Sequence, residues 1–137
     1  MKTPLTVKSV LLALEERAPS ASAEKWDNVG LLVGSASARV RGAVVSIDLT
    51  ERSVERAKKS KSNLIVNHHP CIFPRGKGLS RVTEGEGGSK LVFDAVKNGI
   101  SVLSVHTNFD RCALEVPHQV SKALGCRPVG RLFDGEL

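Results

Sequence analysis

Two adjacent histidines, His68 and His69, follow the short apolar segment NLIVN (63–67) and precede Pro70. Imidazole nitrogens, combined with carboxylate oxygens, suit zinc, iron, manganese, cobalt or nickel. Successive residues of a regular strand point to opposite faces, so the two imidazoles can share a site only if the backbone leaves the strand here or if two ions lie side by side. Pro70 favours such a departure, because it biases His69 toward an extended conformation. A surface loop is the alternative explanation for the pair.

Polar residues also follow two other apolar segments. GAVVSID (42–48) ends in Asp48, and ISVLSV (100–105) is followed by HTNFD, which contains His106 and Asp110. If these segments are parallel strands, their carboxyl ends meet at the edge where open α/β sheets bind ligands. The residue types then favour a metal site. Two alternatives stay open: Asp48 as a turn or cap residue, and His106 as a residue that orients a ligand without binding metal.

The elements that must position these residues alternate along the chain. Apolar residues at helical spacing predict helices over 7–18 and over 88–99, the latter with Leu91, Val92, Ala95 and Val96 facing inward. A charged stretch predicts a helix over 49–62 with Thr50 as N-cap, and the last helical candidate covers about 114–124. Short apolar runs predict strands at 29–34, 42–48, 63–67 and 100–105. Alternating strands and helices indicate an α/β fold, with a mostly parallel sheet, βαβ units and helices on both faces.

Composition narrows the class of protein. A chain of 137 residues with 41% hydrophobic and 25% charged residues is typical of one globular α/β domain, here residues 1–137. No apolar run approaches the about 20 residues that span a bilayer. Three cysteines without CxxC spacing indicate reduced thiols in the cytoplasm. The net charge of +6 suggests nucleic acid, but 4% aromatic residues provide few stacking surfaces, so nucleic-acid binding is not expected.

Three segments together resemble one known family. They are EKWDNVGLLVG (24–34), VVSIDLTERSVERAKKSKSNLIVNHHPCIF (44–73) and NGISVLSVHTNFD (98–110). In this order, the WDN-x-GLLVG, HHP and HTN-x-D motifs are similar to those of the NGG-interacting-factor-like family, whose members are named GTP cyclohydrolase type 2 homologues. The resemblance covers residues 5–125 and implies the N-terminal half of a dinuclear-metal-site fold. It further implies a cytoplasmic, ring-shaped homo-oligomer, often a homohexamer.

The same resemblance implies roles for single residues. His106 would line the metal site, and Asp27 and Asn28 of the WDN motif would lie near it and position the backbone. A further histidine and glutamate ligand would come from a C-terminal segment of the longer family members. The metal ligands implied by the motifs in this chain are His68, His69 and Asp110.

This chain ends at RLFDGEL, so we expect it to lack the histidine and the glutamate of that C-terminal segment. A fragment, a naturally split half and a degenerate short member of the family would each explain this. In each case an edge strand of the sheet stays uncovered, which predicts self-association.

Two functions remain open at this stage. The first is a divalent-metal-dependent hydrolase, similar to GTP cyclohydrolase type 2, acting on a nucleotide-like or other small molecule. Its water nucleophile would be activated by one or two ions of Zn, Fe, Mn, Co or Ni, with His106 or Asp48 as general base. Arg75, Lys77 and Arg81 could attract an anionic substrate. The alternative is a catalytically incomplete metal-binding scaffold that serves oligomerisation or regulation.

Overall fold

The computed structural model describes residues 4–73, 79–112 and 115–127 and has a mixed α/β architecture. A four-stranded sheet is combined with helices that connect its strands. In chain order the elements are α1 (Val7–Arg17), a 3-10 turn (Ser20–Ser22), β1 (Gly30–Val33), β2 (Ala43–Ser46), α2 (Glu51–Lys59), β3 (Leu64–Asn67), α3 (Gly87–Lys97), β4 (Ser101–Ser104), α4 (Thr107–Cys112) and α5 (Glu115–Ala123).

Local signals in the sequence set the ends of the helices. Thr6 and Thr50 cap α1 and α2 with reciprocal hydrogen bonds to Ser9 and Ser53, which satisfies amide groups that a helix start leaves unpaired. Past the end of α3, Gly99 has a φ of 63°, a left-handed conformation that glycine adopts without strain. All four predicted helices are confirmed, with small differences at their ends.

The sheet has the order β1-β4-β3-β2. Strands β2, β3 and β4 run parallel, and β1 pairs antiparallel with β4. The prediction of a mostly parallel sheet is therefore confirmed, although the direction of β1 did not follow from its sequence. At the end of β1 the two backbones approach closely, since a Cβ atom added to Gly34 would lie 2.8 Å from the Cα atom of Ser101.

Helices pack on both faces of the sheet, as predicted. Ile65 and Val102 point to one face, where they pack with residues of α2 and α3 such as Val54 and Val92. Leu64 and Leu103 point to the opposite face, where they pack against Val7 of α1. This division follows from the alternation of side chains along a strand, and it explains why β3 and β4 are apolar on both sides.

Two details differ from the sequence-based expectations. Val96, predicted to face the core, is 58% exposed, because α3 buries the stripe that contains Val92 and Ala95 instead. HTNFD opens the six-residue helix α4, which was not predicted. Among the described residues, no helix is long and apolar enough to cross a membrane.

Candidate metal centre

Three imidazoles meet at the carboxyl ends of β3 and β4. His68 and His69 directly follow β3, and His106 lies between β4 and α4. One possible ligand atom from each ring lies within 4.8 Å of those of the other two. The ring centroid of His68 is 5.0 Å from that of His69 and 5.0 Å from that of His106. We call these three residues the histidine cluster.

The backbone of the neighbouring strand holds the His68–His69 pair in place. The amide of His69 donates to the carbonyl of Ile47 at 2.9 Å, and the amide of His68 donates to the carbonyls of Ile47 and Ser46 at 3.1 and 3.2 Å. The chain thus stays attached to the end of β2 while it leaves the regular strand, which brings two successive side chains into one site. The exit from the strand that Pro70 predicted is confirmed in this form.

A buried asparagine fixes the same segment from the other side. The Asn67 side chain donates to the carbonyl of His69 at 2.7 Å and accepts from the Ser104 hydroxyl at 2.6 Å. Both side chains are buried, so these hydrogen bonds are shielded from water. Asn67 therefore connects the histidine pair to β4, the strand that delivers His106.

The position of His106 depends on the start of α4. The backbone amide of His106 donates to the side-chain oxygen of Asn108 at 2.9 Å, and the side-chain NH₂ group of Asn108 donates to the carbonyl of Ala18 at 2.7 Å. The carbonyl of His106 accepts hydrogen bonds from the amides of Phe109 and Asp110 at 2.8 and 3.0 Å, and these bonds begin the helix. Asp110 is thereby placed one turn after His106, on the side of the cluster.

Two carboxylates contact the cluster from solvent-accessible positions. Oδ1 of Asp48 lies 2.7 Å from Nδ1 of His69, and Oδ1 of Asp110 lies 3.6 Å from Nε2 of His68. These side chains are 55% and 57% exposed, respectively. Water can therefore reach both carboxylates while they remain next to the imidazoles.

A third carboxylate, Asp27, is completely buried behind the cluster. Its Oδ1 lies 2.9 Å from Nδ1 of His106 and accepts from the amide of Asn28, while its Oδ2 accepts from the amide and the hydroxyl of Thr107. Burial by itself raises the pKa of this carboxyl group, but the hydrogen bonds from Thr107, His106 and Asn28 outweigh burial and hold the pKa below its usual value. Asp27 is therefore a carboxylate with several donors around it.

Aromatic rings and a thiol complete the surroundings. Trp26 stands edge-on to His106 with 6.0 Å between centroids, and Phe109 stands edge-on to His68 at 6.3 Å. These aromatic side chains are 54% and 39% exposed. Burial raises the pKa of the Cys71 thiol to about 11, which keeps it protonated near neutral pH.

The donor set fits a divalent transition metal. Zinc–ligand bonds of about 2.0–2.1 Å place two ligands of one tetrahedral ion about 3.4 Å apart. The separation of 3.6 Å between His68 Nε2 and Asp110 Oδ1 already matches this distance. The ring nitrogens, within 4.8 Å of one another, need only small rotations to share one ion. Nitrogen and oxygen donors without sulfur suit zinc, iron, manganese, cobalt and nickel.

The structure brings together all five residues that the sequence singled out as ligands or catalytic groups. Of the basic residues proposed to attract substrate, Arg81 is exposed, whereas Arg75 and Lys77 lie outside the described residues.

Asp27 lies near the site and accepts from the backbone amide of Thr107, as the resemblance implied, but its contact with the His106 ring was not foreseen. Sequence reasoning missed the role of the Asn67 side chain. A signal for Asn67 was present, since an amide at the end of a buried strand must find hydrogen-bond partners.

Comparison with known proteins identifies the family. The model of the Duf34/NIF3 (NGG1p interacting factor 3) family matches residues 5–134. The chain belongs to the Duf34/NIF3 family. Among NIF3 relatives, a Staphylococcus epidermidis protein named GTP cyclohydrolase 1 type 2 homolog is 33% identical over 106 residues, which cover 77% of this chain. A Staphylococcus aureus protein of the same name is 30% identical over 125 residues, which cover 91% of this chain.

Solved structures confirm the NIF3 fold. A Staphylococcus aureus hypothetical protein matches with a TM-score of 0.82 and 30% identity, over 91% of this chain and 35% of that one. A Bacillus cereus protein related to NIF3 matches with a TM-score of 0.80 and 27% identity, over 92% of this chain and 34% of that one. The chain spans only 28% to 33% of the length of the staphylococcal homologs.

Proposed function

We propose that this chain binds a divalent transition metal through His68, His69 and His106, as part of a metal-dependent hydrolase. The observation that carries the proposal is the histidine cluster, in which ligand atoms from two parallel strand ends lie within 4.8 Å of one another. Asp110, close to His68, would be a fourth ligand. A second ion would be held beside the first with the help of Asp110.

A bound ion would supply a Lewis acid that makes water a nucleophile near neutral pH. The residues of the chain would arrange the rest of the reaction. Because the His106 ring belongs to the cluster, we assign it to metal binding and not to the general base that the sequence suggested. Asp48 is then the candidate base, since one of its oxygens contacts His69 and its half-exposed position lets the other accept a proton from water.

The surroundings of the cluster favour a planar substrate. Trp26 and Phe109 present partly exposed rings beside His106 and His68, and such rings stack on nucleobases. Two staphylococcal relatives carry the name GTP cyclohydrolase 1 type 2 homolog. We therefore propose a nucleotide-like small molecule as the substrate class.

The alternative is a metal-binding scaffold without catalysis. The staphylococcal relatives that carry the enzyme name are about three times as long, since the chain spans 28% to 33% of their length. A scaffold would hold the ion with the same histidine cluster, but it would not turn over substrate.

Elemental analysis tests metal binding directly. We expect protein loaded with Zn²⁺ or Mn²⁺ and then desalted to retain about one equivalent or more per chain. Replacing His68, His69 or His106 with alanine should reduce retention at least about tenfold, because each removes a nitrogen ligand. His118→Ala, which alters the fourth histidine of the chain, is the matched control and should retain metal.

Unchanged metal content in all three cluster variants would refute the proposal. Hydrolysis of GTP by the loaded protein, reversed by a chelator and restored by metal, would favour the enzyme. Stoichiometric metal without turnover of GTP or other nucleotides would favour the scaffold.

A further inference from the structure

The outer edge of β2 carries backbone groups that the sheet does not use. The carbonyl of Ser46 accepts from the amide of His68 at 3.2 Å and therefore faces β3. Backbone groups of successive residues point to alternate sides of a strand, so those of Ala43 and Val45 face away from β3. Within the described part of the chain, β3 is the only strand that pairs with β2. This edge can therefore accept one more strand.

A groove runs along this edge, between β2 and helix α2. It is lined by Val44, Val45 and Ser46 of the strand and by residues of the helix that include Arg52 and Arg56. The two arginines are exposed, and they lie four residues apart, about one helical turn. A strand added at the edge of β2 would thus lie alongside both guanidinium groups.

The carboxylates of α2 are engaged by other cations. Glu51 lies 3.2 Å from Lys90 of α3. Glu55 lies 3.9 Å from Lys59 of its own helix. Neither arginine of the groove forms an ion pair with a carboxylate of the described residues, so the helical side of the groove presents uncompensated positive charge. Such a surface attracts an acidic partner.

We propose that this groove binds an extended acidic polypeptide segment, which adds to β2 as a further strand. On one face of a strand, side chains recur every roughly 6.6–6.8 Å. Residues four apart on a helix have a similar spacing, about 5–6 Å, so successive carboxylates of the segment would meet Arg52 and Arg56. The residues between these carboxylates would lie on the other face, beside Val45 and Ile47, which are 81% and 61% exposed. The partner is therefore a segment in which acidic and apolar residues alternate.

A second copy of the chain complements this groove less well than an acidic segment does. In an antiparallel pair of β2 strands, both α2 helices lie on the same face of the joined sheet. The arginines of both chains would then meet, and like charges oppose the pairing. An acidic segment neutralises the same charges, so we expect it to displace a second copy from the edge.

Fluorescence anisotropy with a labelled peptide tests the proposal on the whole chain. The probe is a peptide of about nine residues, long enough for one strand, in which glutamate alternates with valine. We expect wild-type protein to bind it, and the double variant Arg52→Gln, Arg56→Gln to bind it about tenfold more weakly, because two charge pairs are lost. Lys58→Gln combined with Lys59→Gln removes the same charge from α2 outside the groove and is the matched control.

Variants of the peptide separate strand addition from general charge attraction. N-methylation of one alternate set of residues should abolish binding, since it removes the amide donors that face β2, whereas N-methylation of the other set should be tolerated. A peptide with lysine in place of glutamate should not bind.

Absence of binding to wild-type protein would overturn the proposal. So would equal losses of affinity in the two double variants, or tolerance of both N-methylated peptides, since the attraction would then be unspecific. A wild-type oligomer that persists in light scattering at saturating peptide would assign the edge to a second copy instead. A single-stranded oligonucleotide that binds more tightly than the peptide, through the same two arginines, would assign the groove to nucleic acid.

Discussion

Trp26 is the only tryptophan of the chain, and its ring stands 6.0 Å from that of His106. Its indole is 54% exposed, so its emission responds to solvent and to groups at the site. A single tryptophan beside a proposed metal ligand is an intrinsic reporter of metal binding at that position.

We expect Co²⁺ to quench the fluorescence of Trp26 when added to metal-free protein, because a bound ion with unpaired d electrons accepts excitation energy over this short distance. Zn²⁺ has a closed d shell and should quench little, while prior loading with Zn²⁺ should block the effect of Co²⁺. A double substitution of His68 and His69 by alanine should abolish the quenching. Equal quenching in that variant would place the ion outside the histidine cluster.

At the scale of single residues, the sequence predicted the members of the site better than their contacts. HHP and HTNFD follow strands, so their location at one sheet edge could be deduced from the order of elements alone. The hydrogen bond between Asn67 and Ser104 joins residues 37 positions apart, and that between Asp27 and His106 joins residues 79 apart. Such partners are selected by tertiary packing, which a local pattern does not contain.

At the scale of elements, the attachment of β1 to β4 depends on glycine. Gly30 and Gly34 both have a φ of 98°, which disfavours any residue with a side chain. Their surroundings differ. A Cβ atom on Gly30 would meet nothing within 4 Å, whereas one on Gly34 would lie 2.3 Å from the hydroxyl oxygen of Ser101.

This pair of glycines separates backbone strain from steric overlap. Gly30→Ala should lower the free energy of unfolding by about 1–2 kcal/mol, the cost of a positive φ. Gly34→Ala should lower the free energy of unfolding by about 1 kcal/mol more than Gly30→Ala does, because the backbone of β1 must also move away from Ser101. Chemical denaturation of both variants measures the difference, and equal losses would show that the contact relaxes freely.

The elements themselves were largely predictable, for identifiable reasons. Thr50 and Gly99 mark helix ends through capping and left-handed backbone geometry, both of which are local. The antiparallel direction of β1 was not predictable, since a run such as GLLV is equally apolar in either direction. The six residues of α4 are too few to display a helical period, so HTNFD was not recognised as a helix start.

At the scale of the whole molecule, strand β2 is one of the two edges of the sheet in the described part of the chain. It pairs only with β3 there and forms the end of the strand order. Val45 and Ile47 lie on the same face of this segment and are 81% and 61% exposed, so the edge and that face of β2 both lack a covering element among the described residues, although helices cover the central strands on both sides. Exposed apolar edge strands pair readily with other chains.

We therefore expect the isolated chain of 14.7 kDa to self-associate through β2. Val45→Lys should shift the mass measured by light scattering toward the monomer, because a charge on an edge strand opposes pairing. Val96→Lys, at a valine 58% exposed on α3, is the matched control and should leave the mass unchanged. A wild-type chain that stays monomeric at high concentration would contradict this expectation.

The anchoring of His68 and His69 by the carbonyls of Ser46 and Ile47 has a consequence for sequence variation. A main-chain oxygen is present whatever side chain the residue carries, so positions 46 and 47 can diverge widely among homologues without displacing the histidine pair. Asp27 has no such freedom, since its acceptor oxygens belong to the side chain itself. A saturation library should accordingly accept many substitutions at position 47 and almost none at position 27, when scored by metal retention.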